Sequence, residues 1–112
     1  MNDCIFCKIV KGEIPSKKVY EDEDAYAFHD INPVAPVHLL LIPKLHIDSL
    51  AAADASNTEL LGKLLLLAPK LAQQHGLGSG FRTAIHTGHD GGQIVFHLHL
   101  HIIGGGKTVS TL

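Results

Sequence analysis

The sequence predicts an α+β domain in which a five-stranded, mostly antiparallel sheet packs against one long helix, with a short helix at the N-terminus. Apolar segments of strand length follow one another across short turns, and such connections join antiparallel neighbours. Residues 57–75 instead repeat their apolar side chains with helical period. A helix on one face of an antiparallel sheet satisfies both patterns, so we expect a single domain over residues 1–112.

The first half of the chain supplies the short helix and three strands. Residues 4–10 form an apolar segment of one or two helical turns. Residues 19–21 and 25–29 fit the two strands of a hairpin that turns at Asp22-Glu23-Asp24. His38 to Pro43 is a continuous apolar run of strand length, which is typical of a central strand buried on both faces.

The long helix is expected over residues 57–75. Ser56 or Asn57 would cap its start, and Gly76 stands where helices commonly end. Pro69 should kink the helix or remove one of its hydrogen bonds. The predicted apolar stripe consists of Leu60, Leu61, Leu64, Leu65, Ala68, Leu71 and Ala72.

Two further strands follow the helix and complete the sheet. Residues 81–87 form one of them, and residues 88–92 form a glycine-rich turn. Residues 95–103 form the last strand, which Gly104-Gly105-Gly106 ends.

Composition argues against several classes of function. The 112-residue chain has a formal net charge of −2, so it lacks the basic surface of a nucleic-acid-binding protein. Its longest apolar run, residues 64–69, is far shorter than the roughly 20 residues that cross a membrane, and the N-terminus does not resemble a secretory leader. We therefore expect a soluble, cytoplasmic protein that binds neither nucleic acid nor membranes.

Residues 97–101 read His-Leu-His-Leu-His and carry the strongest functional signal. In a strand, alternate side chains share a face, so His97, His99 and His101 would line one face while the leucines line the other. Imidazoles in a row repel one another when protonated and need partners when buried, so packing alone explains them poorly. The interleaved leucines also distinguish the segment from a histidine tag or a disordered metal-binding tract. We interpret it as part of a reactive site.

Cys4 and Cys7 form a Cys-x-x-Cys pair and are the only cysteines of the chain. In a cytosolic protein such a pair is more often a metal or redox site than a structural disulfide. Two histidines would complete a tetrahedral zinc site. A redox dithiol and a pair of inert thiols remain as alternatives, although no thioredoxin-like βαβ pattern surrounds the pair.

Short motifs recur in a characteristic order along nearly the whole chain. They are Cys-Ile-Phe-Cys-Lys-Ile at 4–9, Glu-Ile-Pro at 13–15, Ala-Phe-His-Asp-Ile at 27–31 with Pro33, Pro-Val-His at 36–38, Ile-Pro-Lys at 42–44 with His46-Ile47, Gly-Gly-Gln at 91–93, and the histidine motif at 97–103. In this order and spacing the chain resembles the histidine triad family, and within it the Hint-like branch. The resemblance implies a homodimer whose two five-stranded sheets join into one. It also implies hydrolysis or transfer at the α-phosphorus of purine nucleotides, for example phosphoramidates or acyl phosphates of AMP or GMP.

The resemblance assigns roles to four histidines. His99 would be the nucleophile that forms a covalent nucleotidyl-histidine. A neutral imidazole can do this near pH 7 when an acceptor such as a backbone carbonyl holds its other N–H. His101 would donate to a phosphate oxygen as charge builds up, and His97 would support the pair. His38 matches a buried supporting histidine that orients one of these rings.

The resemblance also implies a nucleotide site. Asp30 would accept hydrogen bonds from the ribose hydroxyls, and the glycines at 91–92 would let the backbone approach phosphate. Without the resemblance, each apolar residue of this site would more readily be assigned to the core. The residues expected around the nucleotide are Ile5, Phe6, Ile9, Phe28, His29, Asp30, Ile31, His86, Gly92, Gln93, Ile94, His99 and His101.

Two positions depart from the family pattern. Ile94 stands where the family usually has a serine or threonine whose hydroxyl contacts the phosphate or the leaving group. His86 stands where the branch often has asparagine, and His89 adds another imidazole to the same turn. Because isoleucine donates no hydrogen bond, a nucleotide-binding regulatory protein with little turnover is the alternative to an enzyme. His86 or His89 would partly replace the missing donor.

The resemblance finally favours zinc at the cysteine pair. Some bacterial members of the family combine Cys-x-x-Cys with a histidine after Ile-Pro-Lys and with the first histidine of the triad. In this chain the complete ligand set would be Cys4, Cys7, His46 and His97. Four protein ligands leave no open position, so the zinc would be structural.

Overall fold

The computed structural model describes residues 3–106, which form a five-stranded antiparallel sheet with one helix on each face. The helices and strands are α1 (Ile5–Val10), β1 (Lys18–Glu21), β2 (Ala25–His29), β3 (Val37–Pro43), α2 (Thr58–Gln74), β4 (Arg82–Ala84) and β5 (Leu100–Gly104). The strands lie in the order β1-β2-β3-β5-β4, and each adjacent pair is antiparallel. The predicted fold class is confirmed, including the long helix between the third and fourth strands.

Strand β3 lies between two apolar layers, which explains its continuous apolar sequence. Leu39 and Leu41 belong to the layer under α2, whereas Leu40 and Ile42 belong to the layer under α1. The layer under α2 also contains Ala25, Ala27, Leu64, Leu71, Leu98, Leu100 and Ile102, and the layer under α1 contains Phe6, Ile9, Tyr26 and Phe28. Helices therefore cover both faces of the central strands.

The last strand is shorter than the predicted span of residues 95–103. Strand β5 begins at Leu100, so His97 and His99 lie in the irregular segment before it. Pro43 has no N–H to extend the β3 ladder, and its carbonyl accepts a hydrogen bond from the His97 ring at 2.7 Å. The predicted alternation nevertheless holds, because Leu98 remains buried under α2 while the histidines belong to the opposite face.

Two other sequence predictions need correction. Strand β4 covers Arg82–Ala84 rather than residues 81–87, because Ala84 already pairs with His101 near the start of β5 and the chain before β5 is irregular. Leu65 does not belong to the buried stripe of α2, since 52% of its surface is exposed. Leu67 instead packs against the core, so the helix is rotated slightly from the predicted face.

Helix α2 ends as predicted but begins differently. Gly76 has φ +80°, and the N–H groups of Gly76 and Leu77 donate to the carbonyls of Gln73 and Ala72 in a Schellman motif. Asn57 precedes the helix, but its side chain accepts from the N–H of Asp54 instead of capping α2. The helix continues through Pro69. In the part of the chain that the structure describes, no helix is long and apolar enough to cross a bilayer.

Candidate active site and metal centre

Four imidazoles cluster on the sheet face opposite α2. The ring centroid of His101 lies 4.9 Å from that of His99, 5.2 Å from that of His38 and 4.7 Å from that of His86. His101 and His38 come from the adjacent strands β5 and β3, His99 from the segment before β5, and His86 from the segment after β4. His101 is therefore the centre of the cluster.

A backbone carbonyl determines which nitrogen of His99 carries the proton. Nδ1 of His99 lies 2.7 Å from the carbonyl oxygen of His97, and because a carbonyl only accepts, Nδ1 carries the proton. Burial lowers the pKa of His99, which favours the neutral ring near pH 7. Nε2 is then bare, and the ring of Phe6 packs edge-on against the imidazole at 5.2 Å. His99 thus has the protonation state that a nucleophile requires.

A backbone amide determines the proton positions on the rings of His38 and His101. The N–H of Val34 donates to Nδ1 of His38 at 3.1 Å, so the proton of neutral His38 is on Nε2. This N–H lies 2.9 Å from Nδ1 of His101 and 3.3 Å from a carboxylate oxygen of Asp30. Nδ1 of His101 then accepts, which places the His101 proton on Nε2.

The resulting N–H of His101 is available to a ligand. Nε2 is buried and has no hydrogen-bond partner among residues 3–106. A buried donor without a partner is costly, and an anionic oxygen at that position would satisfy it. His99 therefore offers a lone pair and the neighbouring His101 a hydrogen-bond donor.

The neutral state of His101 predicts a loss of stability in acid. Burial, and then the neighbouring His99, His86 and His38, lower the pKa of His101 from its ordinary value of 6.5 to about 4. As the pH falls, the unfolded chain takes up this proton first, so the stability present above about pH 6.5 is lost towards about pH 4.

We expect urea titrations to show the free energy of unfolding falling over this range, and falling less steeply in His101→Gln. His89→Gln is the control, because the exposed ring of His89 lies outside the cluster and should leave the slope unchanged. The same pH dependence in wild type and His101→Gln would contradict the prediction.

Cys4, Cys7, His46 and His97 converge at the start of α1. Their ligand atoms all lie within 4.8 Å of one another. Nδ1 of His97 is 3.3 Å from Sγ of Cys4 and 3.5 Å from Sγ of Cys7, and Nδ1 of His46 is 3.4 Å from Sγ of Cys7. Nitrogen and sulfur ligands of a tetrahedral zinc ion are about 3.5 Å apart, given bond lengths of about 2.0 and 2.3 Å. The spacing therefore fits zinc.

The outer hydrogen bonds of the two histidines also fit a metal site. Nε2 of His97 donates to the carbonyl of Pro43 at 2.7 Å, and Nε2 of His46 donates to the carboxylate of Asp48 at 2.6 Å. In both neutral rings Nδ1 is consequently bare and faces the cysteines, which is the state in which imidazole binds a metal. The backbone carbonyl of His97 makes its hydrogen bond to the imidazole cluster.

The side chain of Gln93 connects the backbone at Asp48 with the glycine-rich turn. Gln93 is buried, and its amide nitrogen donates to the carbonyls of Asp48 at 2.7 Å and Val95 at 3.0 Å. Its amide oxygen accepts from the N–H of Gly88 at 2.8 Å. Gly88 and Gly92 have φ values of +76° and +88°, which glycine tolerates best. The side-chain amide of Gln93 is thus occupied, and so is its backbone N–H, which donates to the carbonyl of Gly88 at 3.0 Å.

The apolar residues predicted to surround the base differ in exposure. Phe6, Ile9 and Phe28 are buried together in the layer under α1, and the rings of Phe6 and Phe28 meet edge-on at 5.4 Å. The exposed members of the set are Ile5 at 51%, Ile31 at 89% and Ile94 at 90%. Most of the surface of Phe6, Ile9 and Phe28 is therefore packed in the core.

An open cleft of about 690 Å³ lies beside Asp30, Ile31 and His38. One carboxylate oxygen of Asp30 accepts from the N–H of Asn32, and the other faces His38. His29 borders the cleft, but strand alternation directs its ring towards the α2 side, where it lies 5.7 Å from the ring of His75. The structure thus brings Asp30 to the histidine cluster and leaves the His29 ring away from it.

Three groups that organise the site were missed in the sequence: the Asp48 carboxylate, the Val34 amide and the Pro43 carbonyl. The spacing His46-x-Asp48 was a usable signal for the first of them, because metal-binding histidines commonly donate to a carboxylate. The other two act through the backbone, and residue type carries no signal for them.

Comparisons with known proteins agree with this geometry. A family model described as "HIT domain" matches residues 11–108. Protein HitA of Neisseria gonorrhoeae is 58% identical over 104 residues, which cover 93% of this chain and 97% of that protein. A 14 kDa zinc-binding protein of Zea mays is 50% identical over 103 residues, which cover 90% of this chain and 80% of that protein.

Solved structures show the same fold. A HIT family hydrolase from Legionella pneumophila Philadelphia 1 superposes with a TM-score of 0.93 at 46% identity, covering 96% of this chain and 97% of that one. A histidine triad nucleotide-binding protein from Candida albicans has a TM-score of 0.82 at 32% identity, covering 98% of this chain and 86% of that one. With its sequence and fold both matched over most of its length, the chain belongs to the HIT domain family, the histidine triad proteins.

Proposed function

We propose that this protein is a nucleotide hydrolase that acts at the α-phosphorus of purine nucleoside 5′-monophosphate derivatives, with nucleoside phosphoramidates as the leading substrates. The arrangement of protons in the imidazole cluster carries the proposal. His99 has a bare Nε2 beside the unpartnered N–H of His101. Attack on a phosphorus centre needs such a nucleophile next to a donor for the charged oxygen. The relative from Legionella is named a hydrolase and the one from Candida a nucleotide-binding protein, and both names support a nucleotide hydrolase.

The proposed reaction has two displacements at phosphorus. Nε2 of His99 forms a bond to the α-phosphorus, and the bond to the leaving group breaks with its electron pair on that group. The N–H of His101 donates to a non-bridging oxygen whose negative charge increases in the transition state. Water then attacks the nucleotidyl-His99 and loses a proton to the solvent, the phosphorus–nitrogen bond breaks with its electron pair on Nε2, and the nucleoside monophosphate is released. The carbonyl of His97 holds the Nδ1 proton of His99 throughout.

The nucleoside would lie in the cleft beside Asp30. The carboxylate accepts hydrogen bonds from ribose hydroxyls, while Ile5 and Ile31 offer exposed apolar surface to the base over the buried Phe6, Ile9 and Phe28. The backbone of Gly92, Gln93 and Ile94 would approach the phosphate from the glycine-rich turn, where the N–H groups of Gly92 and Gln93 already donate to the carbonyls of His89 and Gly88. The purine preference itself comes from the family resemblance, and AMP and GMP are the products to test.

We also propose that Cys4, Cys7, His46 and His97 hold one structural Zn²⁺. Four protein ligands leave no coordination position for substrate, so the bound ion would supply cross-linking rather than catalysis. The zinc-binding relative from Zea mays and the close spacing of the four ligand atoms support this assignment. A reducing compartment such as the cytoplasm would keep both thiols available as ligands.

A homodimer is the proposed assembly. Strand β4 is an edge of the sheet, and α2 exposes Leu66 at 72% and Leu65 at 52%. An uncovered edge strand invites pairing, and a second copy would also bury the exposed apolar side chains of α2. We expect light scattering to give about twice the monomer mass of 12.0 kDa at micromolar concentration.

The variant Leu66→Glu should shift the mass towards that of the monomer. Leu50→Glu is the matched control, because Leu50 is an exposed leucine of a separate 3₁₀ turn, Leu50–Ala52, that belongs to neither α2 nor β4. A wild-type mass of 12.0 kDa would contradict the proposed dimer.

A nucleotide-binding regulatory protein is the second candidate. Ile94 favours it, because the side chain expected to contact the phosphate or the leaving group has no polar atom. That side chain is 90% exposed. A single-turnover assay with an adenosine 5′-phosphoramidate separates the two. Release of AMP, with a nucleotidyl adduct on His99 seen by mass spectrometry after rapid acid quench, supports the hydrolase. Tight binding without either product would establish the binding protein instead.

A further inference from the structure

Building on the proposed function, we infer that His86 is the catalytic residue that donates a proton to the departing group. A phosphoramidate must release an amine, and an amine leaves poorly as an anion. The chain therefore needs a proton donor near the phosphorus, on a side open to a group that must escape into solvent. The side chain of Ile94 has no proton to give.

The position of His86 meets these conditions. Its ring stacks on His101 with centroids 4.7 Å apart and planes tilted by 34°. Its charge would also be felt at His99 and His101, since both are electrostatically coupled to it. His86 is exposed, whereas His101 is half-buried and His99 is buried. His86 therefore forms the solvent side of the cluster.

Gly92 of the glycine-rich turn lies beside His86. A Cβ at position 92 would lie 3.9 Å from Nδ1 of His86, and the φ of +88° disfavours a side chain there in any case. The His86 ring thus faces the backbone of the turn that is proposed to approach the phosphate. A leaving group attached to that phosphate would lie close to the imidazole.

The other polar side chains near His99 are already occupied. The N–H of His38 faces His101 and Asp30, and the ring of His97 lies between Pro43 and the cysteines. The amide of Gln93 holds the turn.

The imidazoles of His101 and His86 remain, and each would have a different role. The N–H of His101 is needed at the phosphate oxygen, so it is not available to the leaving group. Neither ring nitrogen of His86 has a hydrogen-bond partner within residues 3–106. His86 is the remaining side chain that can give a proton to an amine.

His86 would act as the general acid while the amine leaves. As Nε2 of His99 bonds to phosphorus, the phosphorus–nitrogen bond of the phosphoramidate breaks and its electron pair stays on the amine nitrogen. A proton from the His86 imidazolium completes the neutral amine. His86 is left neutral and takes up a proton from water, which its exposure allows.

Two adenosine 5′-phosphate derivatives test this role. One carries an alkylamine, which needs a proton to leave, and the other carries 4-nitrophenol, which leaves readily as an anion. In single turnovers we expect His86→Ala to lose about 10²-fold or more on the phosphoramidate and to stay within about threefold of wild type on the nitrophenyl ester. Free imidazole in the buffer should restore part of the lost rate, because the vacated position is open to solvent.

His89→Ala is the matched control, since it removes an exposed imidazole of the same turn that lies outside the cluster. His86→Gln keeps the size and polarity of the side chain but supplies no acidic proton, so it should resemble His86→Ala. Equal slowing of both substrates in either variant would overturn the inference, because His86 would then only support His101 by packing. An unchanged phosphoramidate rate would overturn it as well. Failure of wild type to turn over both substrates would instead refute the proposed hydrolase, and with it this role of His86.

Discussion

Replacing His99 with alanine is expected to reduce the single-turnover rate by about 10⁴-fold or more, while the affinity for the nucleoside monophosphate stays within about tenfold. The loss is large because the bare Nε2 of His99 is the atom proposed to bond to phosphorus, and its removal would eliminate the proposed covalent intermediate. Binding changes little because the cleft, Asp30 and the N–H of His101 remain. Rapid-quench kinetics and calorimetric titration with AMP measure the two quantities.

A second variant checks the chemical assignment directly. His99→Gly leaves a space in which an imidazole already bonded to phosphorus would fit. Adenosine 5′-phosphorimidazolide, the free counterpart of the intermediate, should therefore be hydrolysed by His99→Gly even though the phosphoramidate is not. His75→Ala, which removes an imidazole on the α2 side of the sheet, should leave both rates unchanged. Normal phosphoramidate turnover by His99→Ala would assign the nucleophile to another group.

The histidine motif shows how far periodicity predicts a structure. Alternation of histidine and leucine indicated correctly that Leu98 and Leu100 face the core while the imidazoles share the other side. It did not indicate that the strand begins only at Leu100. The period of the side chains indicates which face of the sheet each residue occupies. The start of a strand depends instead on backbone hydrogen bonds to its partner strand. Here the partner β3 ends at Pro43, whose carbonyl accepts a hydrogen bond from the His97 ring.

Helix α2 shows a similar limit. The helical period of the apolar residues predicted most of its buried face, including Leu64, Ala68 and Leu71. It misplaced the edge of that face, where Leu65 is exposed and Leu67 packs on the core. Four consecutive leucines give no periodic signal, so the sheet beneath the helix decides which of them are buried.

The candidate site was predictable in its residues but not in its protons. The structure brings together the four predicted metal ligands, and it also brings His38, His99 and His101 into one cluster. Which nitrogen of each ring carries hydrogen depends on the Val34 amide and the His97 carbonyl. Backbone groups are identical at every residue, so only their positions in the fold reveal these roles. The orientation of the His29 ring follows from strand alternation, which places it on the α2 side with Ala25 and Ala27, whereas the family motif alone indicates no face.

Zinc removal should have the largest effect on stability. The four ligands come from the start of α1, the segment after β3 and the segment before β5, so a bound ion would link three parts of the chain that the fold otherwise joins by packing. A ligand that binds only the native state adds its binding free energy to folding. We expect one zinc per chain in freshly purified protein, and a loss of about 3 kcal/mol or more on removal. For a domain of this size that is a fall of at least about 10 °C in Tm.

Variants of the ligands separate the structural role of the metal from the chemistry. Cys4→Ser should lower the zinc content and the Tm in the same way as a strong chelator does. Asp48→Asn should weaken zinc binding by about tenfold to a hundredfold, because it alters the hydrogen bond that orients His46.

His46→Ala and His97→Ala form the informative pair. Both remove one ligand, but the backbone at residue 97 also holds the Nδ1 proton of His99, and the His97 ring fixes that backbone through Pro43. His97→Ala should therefore reduce both Tm and turnover, whereas His46→Ala and the chelated wild type should lose stability yet keep part of their turnover below the new Tm. Elemental analysis, thermal melts and the phosphoramidate assay measure all three properties. Fresh protein that contains no metal and melts at the same temperature with and without added zinc would show that the cysteine pair is not a zinc site.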